Sequence, residues 1–179
     1  MVDDSTTIEL SRSELREVTG YAVACARPAL AVFERERPGD PRPRAAVDAA
    51  LAFAEGGGRT KVLRDNAWAA HRAAQETRDE GRAAASDAAR AAGHACGAAF
   101  LHTLAKATQV RHILGSAAHA ARAFEISAGD DPAAGDDHIA RFRALAGPVV
   151  ADVLSRFPHA PPGGGRVGEL MRRLDASLR

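Results

Sequence analysis

Residues 82–126 contain no proline and are rich in helix-forming residues, and this run constrains the fold more than any other feature of the chain. One straight helix of that span would be about 65 Å long at the usual rise per residue. A compact globule of 179 residues is only about 40 Å across. The run must therefore bend or break. Thr103 and Thr108 are poorer helix formers than the residues around them, so we expect a joint at 103–108.

Capping and breaking signals place the first helices. Ser11 and Glu14 form a capping-box pattern, which predicts that the first helix begins directly after Ser11. Pro28 is expected to kink or restart that helix, because proline removes a backbone donor. Asp40 followed by Pro41 is typical of a helix N-terminus, so a second helix is expected from Pro41 onward.

Turn-rich segments at 128–137 and 158–165 are predicted to be internal loops, with a helix starting near Asp137. Alanine supplies 42 residues while aromatic residues make up only 4%, so closely spaced helices with Ala-rich interfaces are expected. The sequence therefore predicts an all-α fold, a compact single-domain helical bundle of about six to seven helices. The domain spans 1–179, and 1–10 is expected to be flexible.

The charge and hydropathy patterns exclude several classes of partner. A net charge of +1 with mixed signs offers no basic surface, so no nucleic acid is expected to bind. No apolar run reaches the about 18 residues of a membrane span, and the N-terminus lacks a signal-peptide pattern. We therefore expect a cytoplasmic protein with no membrane partner. Cys25 and Cys96 lie among small apolar residues and are expected to be buried, reduced thiols.

Arginine outnumbers lysine by 22 to 2 in this chain. Both residues carry the same charge, so the ratio says little about function. It indicates a GC-rich coding sequence and favours an actinobacterial type of source.

A helical wheel over residues 101–124 separates two faces. One face is an apolar stripe, and the opposite face holds small residues together with His112 and His119. Such a helix, with little charge on either side, is expected to be central and to have neighbours on both sides. Gly93 and Gly97 in the preceding helix are expected to let another backbone approach closely.

A polar edge lies at the expected joint and is formed by His102, Lys106 and Gln109. In one interpretation these side chains line a pocket for a small ligand, together with His112 and with His71 of an earlier helix. In the other, Lys106 reaches solvent along its stem and each histidine satisfies a backbone carbonyl at the break. The sequence leaves both interpretations open.

Motifs for metals, cofactors and nucleophilic catalysis are missing from the sequence. There is no His-Glu-x-x-His and no paired Cys-x-x-Cys. The segment "GGGRTK" (56–61) follows a predicted helix and lacks the Gly-Lys-Ser/Thr of a phosphate-binding loop. No serine lies in a Gly-x-Ser-x-Gly elbow. We therefore expect no metal, no cofactor and no catalytic residue.

Three segments carry a resemblance to a known family: "ARPALAVFERERPGDPRPRAAVDAALAFAEG" (26–56), "AWAAHRAAQE" (67–76) and "AARAAGHACGAAFLHTLAKATQVRHILGSAAHAARAFE" (88–125). The chain resembles the Imm-5-like immunity proteins of bacteria, which are all-helical. The resemblance covers about residues 12–126 well and 148–178 more loosely. It implies a non-enzymatic protein that binds and neutralises a cognate protein toxin.

Three hypotheses about function follow. The first is the toxin-binding protein, whose rim contacts we expect to come from Asp40, Arg42, Arg44, Asp48 and Arg72. The second is a helical small-molecule-binding protein or enzyme that uses the pocket around His102. The third is a structural or regulatory homo-oligomer assembled through alanine and glycine faces.

Overall fold

The computed structural model describes residues 6–179, and in that range the regular secondary structure is helical. Nine α-helical segments follow one another: α1 (Arg12–Ala26), α2 (Leu30–Glu36), α3 (Arg42–Ala54), α4 (Lys61–Asp79), α5 (Ala83–Ala98), α6 (Val110–Ser127), α7 (Pro132–Leu145), α8 (Pro148–Ser155) and α9 (Gly165–Leu178). The predicted all-α fold is confirmed. Among the helices of this range, none is long and apolar enough to cross a membrane.

The number of helices exceeds the six to seven that the sequence predicts. α1 and α2 are separated only by the 3-10 turn Arg27–Ala29 and form one bent helix, which leaves eight. The bend follows from Pro28, as expected. α7 and α8 are separate because Gly147 is extended before Pro148 begins the next helix.

The loop predicted at 128–137 is wrong in its second half. α7 begins at Pro132 and not near Asp137. The reason is local: the Asp131 carboxylate accepts a hydrogen bond from the Ala133 amide (3.0 Å), and proline has the backbone angle of a first helical position.

The joint expected within 82–126 is confirmed. α5 ends at Ala98 and α6 begins at Val110, so the predicted joint at 103–108 lies inside the observed break. A 3-10 turn, Ala107–Gln109, leads the chain into α6.

The segment before α1 crosses this break. The Ile8 amide donates a hydrogen bond to the Thr103 carbonyl (2.8 Å), and the Ala105 amide donates to the Thr6 carbonyl (2.9 Å). An isolated antiparallel bridge forms at this crossing. Of the segment 1–10 that we expect to be flexible, the first five residues lie outside the described part of the chain, and residues 6–8 lie against the break.

α5 and α6 form an antiparallel pair at the centre of the bundle. The Ser116 hydroxyl of α6 donates to the Ala91 carbonyl of α5 (2.7 Å), and both residues are buried. α6 also packs against α1, α7 and α9, while α5 packs against α1 to α4. Since both faces of α6 are buried, the prediction of a central helix is confirmed. Alanine side chains supply most of the buried surface of α5, which allows its neighbours to approach closely.

A buried carboxylate joins three helices at one end of this pair. Glu125 of α6 is fully buried and accepts hydrogen bonds from Arg166 Nε of α9 (2.9 Å) and from Arg122 Nη1 (2.9 Å). A Cβ atom added to Gly135 of α7 would lie 2.1 Å from Glu125 Oε1. A carboxylate is tolerated in the interior only when it is paired and hydrogen-bonded. Glycine at position 135 is therefore needed for the pairing of Glu125.

Gly135→Ala should destabilise the protein severely. The added methyl group displaces the Glu125 carboxylate from its two arginines, and breaking a buried pair costs about 3 kcal/mol or more. Urea unfolding measures the loss of unfolding free energy. Gly20→Ala is the matched control, since its Cβ would meet only the Ala54 Cβ at 3.8 Å and should leave the unfolding free energy unchanged or raise it. Equal unfolding free energies for the two variants would contradict the role of Gly135.

Candidate functional site

A surface cavity of about 720 Å³ lies between α5, α6 and the loop that precedes α9. This volume is in the range of small-ligand pockets. Its polar lining comes mainly from two helices and includes Ser86, Asp87, Arg90 and His94 of α5 and Arg111, His119 and Arg122 of α6, with Arg78 of α4 and Thr108 beside them.

Helical spacing places these side chains in two facing rows. On α5, Asp87, Arg90 and His94 are three and four residues apart, so they share one face. On α6, Arg111 and Arg122 are eleven residues apart, which is close to three full turns. Because the two helices are antiparallel, the rows face the same groove.

The cavity carries an excess of positive charge. Four arginines line it, Arg78, Arg90, Arg111 and Arg122, against the single carboxylate of Asp87. Arg122 is paired with Glu125, and Asp87 accepts a hydrogen bond from His119 (2.6 Å). Within residues 6–179 the other three arginines have no ion pair.

A row of rings connects the cavity to the far side of the bundle. His94 stacks on His119 with ring centroids 5.1 Å apart, and His71 of α4 meets His94 edge-on at 5.6 Å. We call these three residues the imidazole row. Trp68 extends the row from its outer end, since its ring lies 6.4 Å from that of His71.

Two rings of the imidazole row pack directly against glycines. A Cβ atom at Gly93 of α5 would lie 2.9 Å from the ring of His71, and one at Gly115 of α6 would lie 2.9 Å from the ring of His94. The expectation that another backbone approaches Gly93 is wrong, because an imidazole ring occupies that space. The imidazole row is thus interlocked across α4, α5 and α6.

Burial favours the neutral form of two rings of the imidazole row, His94 and His71. Burial lowers the pKa of His94 well below its usual range, and the neighbouring His119 and His71 lower it further. Burial also lowers the pKa of His71, followed by the effect of the Arg90 charge. Neutral imidazoles can each donate one hydrogen bond and accept another. Within residues 6–179, no group of three or more His, Cys, Asp or Glu side chains is arranged to hold a metal ion.

The predicted polar edge lies in the break between α5 and α6. The His102 amide donates to Gln109 Oε1 (3.0 Å), and the Leu104 amide donates to His102 Nδ1 (3.1 Å). These side chains therefore satisfy backbone groups of the break. Neither of the two described cavities is lined by His102, Lys106 or Gln109.

The other two predicted pocket residues lie on the helices. His112 packs over Gly97, with its Nδ1 atom 3.0 Å from the Gly97 carbonyl oxygen, and burial lowers its pKa. His71 is brought to His94 and His119, which the sequence did not assign to a site. The spacing of arginines and histidines along α5 and α6 could have indicated His94 and His119. That inference requires knowing that the two helices pack against each other.

The predicted rim residues are divided between ion pairs and open surface. Arg42 Nε donates to the Asp40 carboxylate (2.9 Å), and Arg42 Nη1 donates to Glu76 of α4 (3.0 Å). Arg44 pairs with Glu34 of α2. These contacts fasten the start of α3 to its neighbours. The remaining two predicted rim residues are exposed, Asp48 on α3 and Arg72 on α4.

Gly115→Ala should destabilise the fold, whereas Gly97→Ala should not. The first substitution displaces the His94 ring, which would lie 2.9 Å from the added Cβ, and such overpacking costs about 1–3 kcal/mol. At Gly97 the nearest ring atom is 3.5 Å from the added Cβ, an ordinary contact, and alanine gains helix propensity. Thermal unfolding of both variants checks the difference, and equal tolerance would mean that the rings are not fixed by glycine.

Comparison with known proteins assigns the family. No curated protein and no solved structure matches the chain. A family model does match residues 9–144, about three quarters of the chain, and it describes an Imm-5 like putative immunity protein. The three segments that carry the resemblance in the sequence lie within this match. The chain therefore belongs to the Imm-5 like family of immunity proteins.

Proposed function

We propose that this protein binds and neutralises a cognate bacterial toxin without catalysis, and that Trp68 anchors the interface. The proposal is carried by one observation: Trp68 is 61% exposed on α4. Exposed tryptophan is costly in water and is among the residues that contribute most to protein–protein binding. Membership of an immunity-protein family supports a toxin as the partner.

The surroundings of Trp68 suit a partner with acidic residues. Lys61 pairs with Asp65, which leaves Arg64 and Arg72 as the cations near the tryptophan on the outer side of α4. Arginine around a central aromatic residue is common in binding surfaces. We call the face formed by Arg64, Trp68 and Arg72 the α4 outer face. Its toxin would present an apolar pocket with carboxylates at its edge.

The Trp68 side chain packs against the imidazole row. The Trp68 ring lies edge-on to that of His71, and the His71 ring lies directly against Gly93 of α5. A side chain held in this way loses little conformational entropy when a partner binds, which favours affinity.

The predicted rim residues would contribute unequally to this interface. Arg72 belongs to the α4 outer face, and Asp48 is exposed on the neighbouring α3. Asp40, Arg42 and Arg44 would add less, because their charges are already paired within the chain.

We also propose that the protein acts in the cytoplasm of the producing cell. Cys25 and Cys96 are buried and unpaired, which suits a reducing compartment. Burial raises the pKa of each thiol to about 12, so both are unreactive.

Trp68→Ala should weaken toxin binding by more than tenfold, since hot-spot residues contribute about 2 kcal/mol or more. The test pairs the purified protein with the toxin encoded beside its gene and measures both affinity and rescue of growth on co-expression. Leu145→Ala is the matched control, because Leu145 is also a large exposed apolar residue (53%) but lies on α7. It should leave affinity unchanged.

Three results would contradict the proposal. The first is that no toxin encoded beside the gene binds or is neutralised. The second is that Trp68→Ala binds the toxin normally. The third is that Trp68→Ala converts a dimer to a monomer, which would assign the α4 outer face to self-association.

A further inference from the structure

The cavity between α5, α6 and α9 has no part in the proposed toxin interface. We propose that it binds a small organic anion with two or three negative charges, carried by phosphate or carboxylate groups. The inference goes beyond toxin binding and concerns a second site, on the other side of the imidazole row from Trp68.

Three arginines of the cavity have no carboxylate partner among the described residues. Arg78, Arg90 and Arg111 line the cavity, and none has an ion pair within residues 6–179. Elsewhere on the surface, arginines such as Arg156 and Arg173 each meet two carboxylates. Guanidinium groups bind carboxylate and phosphate through paired hydrogen bonds. Three of them around one cavity match an anion of similar charge.

The one carboxylate among the described lining residues offsets only part of this charge. Asp87 accepts a hydrogen bond from His119 Nδ1 (2.6 Å) and forms no ion pair with the lining arginines. The positive field also reaches the buried rings. After burial, the charge of Arg90 contributes to lowering the pKa of His71, and that of Arg111 contributes to lowering the pKa of His94.

The side of the cavity formed by α9 is apolar, which favours an organic ligand over an inorganic ion. Val167 and Met171 of α9 line that side, and Ile126 of α6 adds a further apolar side chain. The loop predicted at 158–165, which ends where α9 begins at Gly165, completes the wall.

This wall is held in place before any ligand binds. Arg172 Nη1 donates hydrogen bonds to the carbonyl oxygens of Pro161 (3.1 Å) and Gly163 (2.7 Å). A Cβ at Gly168 would lie 2.0 Å from the Gly163 carbonyl oxygen, so the loop lies directly on the helix. A preformed pocket of about 720 Å³ suits a small molecule, and we favour this over an acidic segment of a protein.

Calorimetry on the purified protein alone tests the inference, with glycerol 2-phosphate and citrate as separate organic ligands. The two arms distinguish phosphate from carboxylate recognition. We expect saturable binding in at least one arm, weakened by added salt. Arg90→Gln and Arg111→Gln should each reduce affinity on the order of tenfold. Arg141→Gln, an equal charge change on an exposed part of α7 away from the cavity, should leave affinity unchanged.

Three results of these experiments would overturn the inference. Circular dichroism first establishes that each variant is folded. No binding in either arm, or equal loss in all three variants, would overturn the inference. Loss of toxin binding in the cavity variants without anion binding by the wild type would also overturn it and assign the cavity to the toxin interface. Because no toxin is present in the calorimetry, failure here leaves the Trp68 interface to be judged by its own experiment.

Discussion

The central helices are held together by imidazole rings that occupy the space left by glycines. Helices built from alanine bury little volume per residue, so they can pack only at close range. Where a histidine projects between them, the facing residue must lack a side chain. Gly93 and Gly115 meet this requirement for His71 and His94, and the register of α4, α5 and α6 follows from these contacts. The buried hydroxyl bonds of Ser86 to α4 and of Ser116 to α5 reinforce the same register.

This arrangement determines what the two sides of the bundle can do. On one side, His71 packs against the exposed Trp68. On the other, His94 and His119 line the cavity. The imidazole row therefore lies between the proposed toxin interface and the proposed anion site, and it contacts residues of both.

Much of the fold could be predicted from local sequence signals, because those signals act over a few residues. The capping box at Ser11 forms as expected, with the Ser11 amide 2.8 Å from Glu14. The same Asp-Pro signal that predicts the helix after Asp40 is repeated at Asp131 and Pro132, where the turn-rich composition of the segment obscured it.

The site was less accessible to prediction from sequence. His94 meets His119 through a contact between residues 25 positions apart, and Asp87 meets His119 across 32 positions. Such contacts depend on the pairing of antiparallel helices, which periodicity alone does not give. The exposure of Trp68 likewise depends on how α4 packs against its neighbours, which its local sequence does not give.

The most direct test of the interlocked imidazole row is an NMR titration of His94 from about pH 8 to about pH 5, compared with the urea-unfolded chain. In the folded protein the His94 ring should stay neutral through the range in which the unfolded chain titrates near a pKa of about 6.5. Because the unfolded state then binds more protons, folding stability should fall as the pH is lowered through that range. A folded His94 that titrates with the unfolded chain would show that the ring is hydrated and not enclosed by Gly115, and would contradict the account.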